Sequence, residues 1–384
     1  MTATTSGQAE KVILFANTDW YLFNFRRSLA IALQAAGYDV LLLSPPGPYG
    51  EKLVALGLRW EAVPMDRRSL NPLREATLLV YLVKLLRRER PALVHSFTIK
   101  CAVYGSLAAR LAGVRARVNA VAGMGYVFTS NDLTARLLRW PVRTLLRLAL
   151  GGSGARLVLQ NPDDVDMFKR AGLVAEDQVR LIPGSGVDLQ RFALSGRTRE
   201  PGSAMTVLLA ARLLWDKGLA EFVAAIQLLR SQGRELTFLL AGTPDPGNPA
   251  AVPEEAVRAW VSEGLLEWLG HVDEMPRLLS SVDIVVLPSY REGLPKSLIE
   301  AAACGLPLVT TDVPGCREVV SDGVDGLLVP VRNASALANA IARIHDDPVF
   351  GKALGAAARE KAIAVFDERV VCQATLAVYR ELLG

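Results

Sequence analysis

Two acids and two bases in the second half of the chain have the types and spacing for sugar-nucleotide chemistry. Glu292 and Glu300 lie in Ser289-Tyr-Arg-Glu-Gly-Leu-Pro-Lys-Ser-Leu-Ile-Glu300, and Arg212 and Lys217 lie in Arg212-Leu-Leu-Trp-Asp-Lys217-Gly218. A carboxylate is a strong acceptor for paired hydroxyls. Two fixed cations can neutralise a departing diphosphate, the work that a divalent metal does elsewhere. Gly293 lets the main chain approach closely, and the helix start after it offers free N–H groups that favour a phosphate. At ~1.5 Å rise per residue, Glu292 before that helix and Glu300 within it bracket the anion-binding end. One carboxylate then meets the hydroxyls of a donor sugar and the other those of a ribose, with the diphosphate between. A basic residue alone is an ordinary surface charge, and two acids alone are ordinary helix-surface groups. Their joint occurrence on consecutive loops predicts that all four side chains converge on one nucleotide-diphosphate cavity.

Those loops need a sheet to carry them. Val207–Ala210, Thr237–Ala241, Ile284–Pro288 and Leu308–Thr311 read as strands, with helices over Gly218–Arg230, Glu274–Ser280 and Pro295–Cys304. Open parallel sheets bind ligands beyond the carboxyl ends of their strands, which is where the four residues fall. The first half has the same rhythm: strand Val12–Phe15, helix Phe25–Ala36, strand Val40–Leu43, then Leu93–His95, a helix over Cys101–Ala112, Arg117–Val121 and Leu157–Leu159. In Asn161-Pro-Asp-Asp164, Asn161 suits an N-cap and Pro162 the first turn, which accounts for the nearby aspartates without a metal. The predicted fold class is α/β, two doubly wound Rossmann-like domains facing a central cleft. The first, residues 1–190, holds the excess of basic residues and is suited to anions. The second, 191–365, would bind the nucleotide sugar. The tail 366–384 would return to the first as a helix. The pattern pauses around Ile182–Asp188 and the polar run Ser195–Ser203, the predicted linker.

Composition sets the boundaries. With 384 residues, 51% hydrophobic and 21% charged, the chain can build two cores and is not of a disordered class. Its longest apolar run, Thr77–Leu86, is broken by Lys84, so no spanning helix is expected. Met1–Glu10 does not read as a secretory signal, and the default compartment is the cytoplasm. Cys101, Cys304, Cys316 and Cys372 form no C-x-x-C pair and are expected as free thiols. His95, His271 and His345 are too dispersed for a local zinc cluster, so no metal is assigned. The net charge of +4 divides unevenly: residues 1–190 carry 24 Lys and Arg against 15 Asp and Glu, and residues 191–384 carry 19 against 24. Arg136, Arg139, Arg143 and Arg147 recur at helical spacing among leucines and Trp140, a pattern suited to an anionic membrane surface. Nucleic acid is not an expected partner, since no binding motif or aromatic platform accompanies the basic residues.

With these motifs in hand, the chain resembles glycosyltransferase family 4. The likeness rests on Arg212-x4-Lys217-Gly218, Glu292-Gly-Leu-Pro and Glu300, together with Ile182–Asp188 followed by Phe192, Leu287-Pro-Ser289, and Gly315-x-x-Glu318 with Asp325–Leu328, in the same order along nearly the whole chain. The resemblance implies a GT-B fold, a hexosyltransferase activity with retention and no metal, and a nucleotide-sugar donor held mainly by the second domain. It implies that Arg212 and Lys217 bind the diphosphate, Glu292 the donor sugar and Glu300 the ribose. The stretch Gly293, Leu294, Pro295, Lys296 and Ser297 would lie against the donor, and the backbone near Val272 would read the base. Many relatives carry a glycine pair after the first strand; here the loop is Ala16-Asn-Thr-Asp-Trp20, with Asn17 and Thr18 left to supply hydrogen bonds. His95 is similar to an acceptor-facing histidine, a catalytic candidate, and Lys100 is a candidate for an acceptor diphosphate. Gly123-x-Gly125 by itself is too weak to mark a dinucleotide site.

Trp20–Arg26, Arg67–Pro72 and Gly123–Phe128 are similar to segments of bacterial enzymes that extend polyprenyl-diphosphate-linked glycans with N-acetylgalactosamine or galactose. The implied partners are a UDP-sugar donor, a lipid-diphosphate-linked saccharide acceptor and the anionic inner membrane, with the protein peripheral on its cytoplasmic face. Two alternatives stand beside this reading: a UDP-sugar 2-epimerase on the same fold, which needs no acceptor, and a non-catalytic partner in glycan assembly.

Overall fold

The computed structural model describes residues 9–67, 69, 71–121, 143–194, 203–245 and 247–384. Arg136, Arg139 and Trp140 of the basic stretch, the loop Gly123–Phe128 and most of the polar run after Ser195 lie outside them. The chain forms two compact units, Met1–Ser185 with Val371–Gly384, and Gly186–Val370.

In unit 1 the strands are β1 (Lys11–Phe15), β2 (Asp39–Ser44), β3 (Arg59–Ala62), β4 (Leu93–Phe97), β5 (Ala116–Ala120), β6 (Ala155–Leu159) and β7 (Val179–Leu181). Among the described residues they form one parallel sheet in the order β3-β2-β1-β4-β5-β6-β7. Val12 pairs with Val40 on one side and Leu93 on the other. The chain leaves β1 toward β2 and later returns on its other side at β4, so the topological switch lies between β1 and β4. All five residues of β4 and four of the five in β1 are buried, because helices cover both faces. On one face Val12, Leu14 and Leu33 pack with Val371, Leu376 and Tyr379 of the C-terminal helix; on the other, Ile13 and Phe15 pack with Leu82, Leu86 and Ala108. Both apolar runs were visible in the sequence. The edge strands β3 and β7 were not, since neither contains a fully buried residue.

Local chemistry sets the helix ends. Asn71 caps Pro72–Glu89, and Asn161 accepts from the Asp164 amide at 2.7 Å at the head of Pro162–Arg170. The first helical stretch begins earlier than its apolar spacing suggests. Thr18 caps it, Asp19–Tyr21 opens it, and a π-helical turn over Leu22–Arg26 leads into Arg27–Ala35.

Unit 2 contains β8 (Met205–Ala210), β9 (Leu236–Ala241), β10 (Glu267–Gly270), β11 (Ile284–Leu287), β12 (Leu308–Thr311) and β13 (Leu327–Val329). They too are parallel among the described residues, in the order β10-β9-β8-β11-β12-β13, with the switch between β8 and β11. The helix Lys296–Ala303 buries Leu298, Ile299, Ala301 and Ala302 against Leu208, Val285 and Leu308. All four cysteines are buried free thiols; burial pushes Cys101 and Cys316 up to about 12 and Cys304 up to about 11. Among the described residues no helix is long and apolar enough to cross a membrane.

Candidate functional site

Three loops at the carboxyl edge of the unit 2 sheet assemble around Glu292. The first leaves β8 and ends in a 3-10 turn, Trp215–Lys217. It is locked to the loop after β11: the Tyr290 amide donates to the Asp216 carbonyl at 2.8 Å, and the Ser289 hydroxyl donates to the same oxygen at 3.1 Å. Gly218 turns with φ +73° where a β-carbon would collide with the Pro288 carbonyl, so only glycine brings these loops together. The third loop follows β12. The Glu292 amide donates to the Pro314 carbonyl at 3.2 Å, and Gly315, at φ +84°, lies so near that a β-carbon would stand 2.6 Å from the Glu292 carbonyl oxygen. The Gly315 amide in turn donates to Glu318 at 2.6 Å.

This framework joins Lys217 and Glu292 in a direct ion pair, the side chains 16% and 12% exposed. Arg212 is placed differently. Its guanidinium reaches Asp245, in the loop after β9, at 2.9 Å and is 63% exposed. Glu300 lies one turn into the helix Lys296–Ala303, 3.8 Å from the Lys296 ammonium. Burial pushes its carboxyl above the ordinary value, opposed by the charges of Lys296 and Arg191. Two short-range acid–base contacts therefore flank the helix start, while Arg212 is held by a third acid, Asp245, which the sequence reading did not single out. A carboxylate in a Gly- and Pro-rich loop gives no periodic signal.

The helix start itself is built by Pro295, its N-cap, which offers no side-chain hydrogen bond. Gly293, Leu294, Lys296 and Ser297 around it are half-buried and Pro295 is buried. The amides at such an end, with the helix dipole behind them, can receive an anion. Val272, after β10, packs at the edge of the core that supports this helix.

In unit 1, Asn17 and Thr18 follow β1. The Thr18 hydroxyl oxygen accepts from the Tyr21 amide at 3.0 Å, so its proton is what it has left to offer a ligand. Next to it Asp19, 5% exposed, accepts from the Tyr49 and Gly50 amides at 2.6 and 3.0 Å and pins the loop after β2. Lys100 was expected to face an acceptor diphosphate. It donates instead to Glu75 at 2.7 Å and to the Asp66 and Ser69 carbonyls at 2.7 and 2.9 Å, which employs its three donors within the fold.

His95 was expected at the end of its strand. The strand runs on to Phe97, and His95 is an interior position, 2% exposed. Its Nδ1 lies 2.6 Å from the Tyr379 hydroxyl of the C-terminal helix, and its ring lies 4.1 Å from that of Phe97. Burial, and then the charge of Arg26, holds the imidazole well below its ordinary pKa, hence neutral. The sequence placed the strand end early because Ser96 is polar; the fold buries it beneath Gly105.

Two doubly wound units with parallel sheets of seven and six strands define the GT-B class. Solved structures of that class superpose on the chain. A sucrose-phosphate synthase from Thermosynechococcus elongatus matches with TM-score 0.80 and 22% identity, covering 97% of this chain and 99% of that one. Anabaena HepE in complex with UDP matches with TM-score 0.76 and 21% identity, covering 97% and 100%. Family models described as "Glycosyl transferase 4-like" and "Glycosyl transferases group 1" match residues 11–160 and 204–347. The chain belongs to these glycosyl transferases and is a hexosyltransferase. Among curated relatives, it is 29% identical to a Campylobacter jejuni N,N'-diacetylbacillosaminyl-diphospho-undecaprenol alpha-1,3-N-acetylgalactosaminyltransferase, over 94% of this chain and 96% of that enzyme. It is 26% identical to an Escherichia coli UDP-Gal:alpha-D-GlcNAc-diphosphoundecaprenol alpha-1,3-galactosyltransferase, over 75% of each.

Proposed function

We propose that the chain transfers N-acetylgalactosamine or a related hexose from a UDP-sugar to a hydroxyl of a polyprenyl-diphosphate-linked saccharide, with retention and without a metal, at the cytoplasmic face of the inner membrane. The observation that carries the reading is the Lys217–Glu292 pair beside a helix start, in a chain similar over nearly its whole length to an enzyme named for such an acceptor. The names of both relatives supply the acceptor class, and that of the second supplies UDP.

In this proposal the donor diphosphate takes the Lys217 ammonium from Glu292 and lies against the amides of Gly293–Ser297, with Arg212 as the outer cation. Glu292, released, accepts from the donor-sugar hydroxyls and Glu300 from the ribose. The bond from the anomeric carbon to the diphosphate oxygen breaks, and its electron pair stays on that oxygen. The acceptor hydroxyl attacks from the same face and passes its proton to the departing diphosphate. Fixed positive charge where negative charge develops is the main source of acceleration. His95 is assigned a positioning role, keeping the C-terminal helix on the sheet through Tyr379.

The test is to incubate the purified protein with a panel of labelled nucleotide sugars and short polyprenyl-diphosphate saccharides, with and without EDTA, and to identify the product and its anomeric configuration. An α-linked product from a UDP-sugar, insensitive to EDTA, is expected. Conversion of the UDP-sugar without acceptor would replace the reading by epimerisation, and absence of UDP-sugar binding by calorimetry would replace it by a non-catalytic role.

A further inference from the structure

Two side chains outside the Lys217–Glu292 pair join the loops that carry it. Glu221 stands four residues after Lys217, in the first turn of the helix Leu219–Ser231, and Tyr290 stands two residues before Glu292. The Tyr290 hydroxyl lies 2.9 Å from each of the Glu221 carboxylate oxygens, so its one proton is donated across the fork of the carboxylate. Both residues are half-buried. A third loop covers them. Arg332, between β13 and the helix Ala334–Asp346, lays its guanidinium 4.8 Å from the centre of the Tyr290 ring. Burial, and then the hydrogen bond to Glu221, raises the Tyr290 hydroxyl above its ordinary pKa, so it keeps its proton and remains a donor.

A glutamate at the third position of a helix commonly turns back to cap its own helix start. Here the start is Gly218, which has no side-chain cap, and Glu221 faces the neighbouring loop instead. Its partner is a neutral hydroxyl, which brings direction rather than charge. Arg332 has φ 57°, in the left-handed region that residues other than glycine rarely adopt. Strain of this kind persists where the surrounding structure fixes the conformation. The Tyr290 amide and the Ser289 hydroxyl already tie the loop after β11 to the Asp216 carbonyl, at a single point. The contact between Tyr290 and Glu221 adds a second point on the same two segments, and two points keep one loop from turning about the other.

We infer that Tyr290 and Glu221 are positioning residues for the proposed transfer, their hydrogen bond holding the Lys217 ammonium and the Glu292 carboxylate in place for the departing diphosphate and the donor sugar. The inference rests on the donor site described under the proposed function, where neither residue touches the reacting atoms. Negative charge on the diphosphate oxygen grows as the anomeric bond breaks. A misplaced Lys217 therefore weakens the transition state more than it weakens the bound donor, whose diphosphate also lies against the amides of the helix start. The loss belongs in kcat.

Tyr290→Phe keeps the ring beneath Arg332 and deletes only the hydroxyl. Its kcat should fall roughly 10-fold while the donor KM stays within about twofold of the parent. Glu221→Ala should fall equally. Glu221→Gln, whose amide oxygen still accepts from the hydroxyl, should keep kcat within about threefold. Combining Tyr290→Phe with Glu221→Ala should lower kcat no further than either alone, because both remove one bond. Hydrogen exchange on the ligand-free chain reads the same tie without turnover. Tyr290→Phe and Glu221→Ala should speed exchange in peptides covering residues 214–218 and 289–293, and Glu221→Gln should not. A Tyr290→Phe kcat within about twofold of the parent, equal losses in the two Glu221 variants, or losses that multiply would overturn the inference. Should Tyr290→Phe fail to fold, the two Glu221 variants decide it. A parent chain that binds no UDP-sugar would sink the proposed donor site; exchange that still quickens in the two loops then leaves the tie standing, and unchanged exchange removes it as well.

Discussion

Lys217 and Glu292 are 75 positions apart in the chain, yet their side chains form a direct ion pair that is largely withdrawn from water. Each is the other's counter-charge before a donor arrives. Removing one leaves a half-buried charge without its partner, which costs more than the pair itself contributes. Lys217→Met and Glu292→Gln should each lower kcat/KM by ~10²–10³. Because the two act as a unit, the double variant should lose far less than the product of the single losses. Multiplicative losses in steady-state assays would show that the two act independently.

Gly315 holds the carbonyl of Glu292 from the opposite side. With φ +84° and a β-carbon position 2.6 Å from that oxygen, Gly315→Ala must either strain its own turn or push Glu292 away. The variant should fold, since unit 2 keeps its core, but the donor KM should rise and kcat fall, each several-fold or more. Unchanged kinetics in a folded protein would remove Glu292 from the donor site.

Burial raises the Glu300 carboxyl above its ordinary value. The sign follows from linkage: an acid with a raised folded-state pKa stabilises the fold below its unfolded value, and that contribution disappears as pH rises through the folded value. Glu300→Gln removes a buried carboxylate, so its melting temperature should exceed the parent's at pH 7 and approach or fall below it near pH 4. Donor affinity should drop ~10–100-fold, the range for a lost hydrogen bond to a charged group. A variant less stable than the parent at pH 7 with undiminished donor binding would contradict both halves.

The neutral His95 works in the opposite sense. Its lowered pKa contributes stability above the ordinary histidine value, and this is lost as pH falls through that region and below. Tyr379→Phe leaves the His95 Nδ1 buried without its partner and should cost about 1–3 kcal/mol in denaturant titrations. Turnover of the folded variant should stay within a few-fold of the parent. A large fall in kcat with stability unchanged would return His95 to the chemistry.

The helix cap at Asn161, the runs in β1, β2, β8 and β11, and the glycine and proline around Glu292 could be read from residues alone, because local chemistry or two-sided burial dictates them. Edge strands β3, β7 and β10 could not, since a strand with little fully buried surface looks like any mixed segment. Lys100 shows the same limit for a side chain. Its charge was plain, but its three partners come from residues 25 to 34 positions earlier.

By itself, then, the chain's order of residues determined that two parallel α/β units would form, and that acids, bases and a helix start would gather at one edge of the second sheet. Which base meets which acid was decided only in three dimensions. Lys217 went to Glu292 and Arg212 to Asp245, because ion pairing depends on distances of a few ångströms between loops that the sheet, not the sequence spacing, brings together.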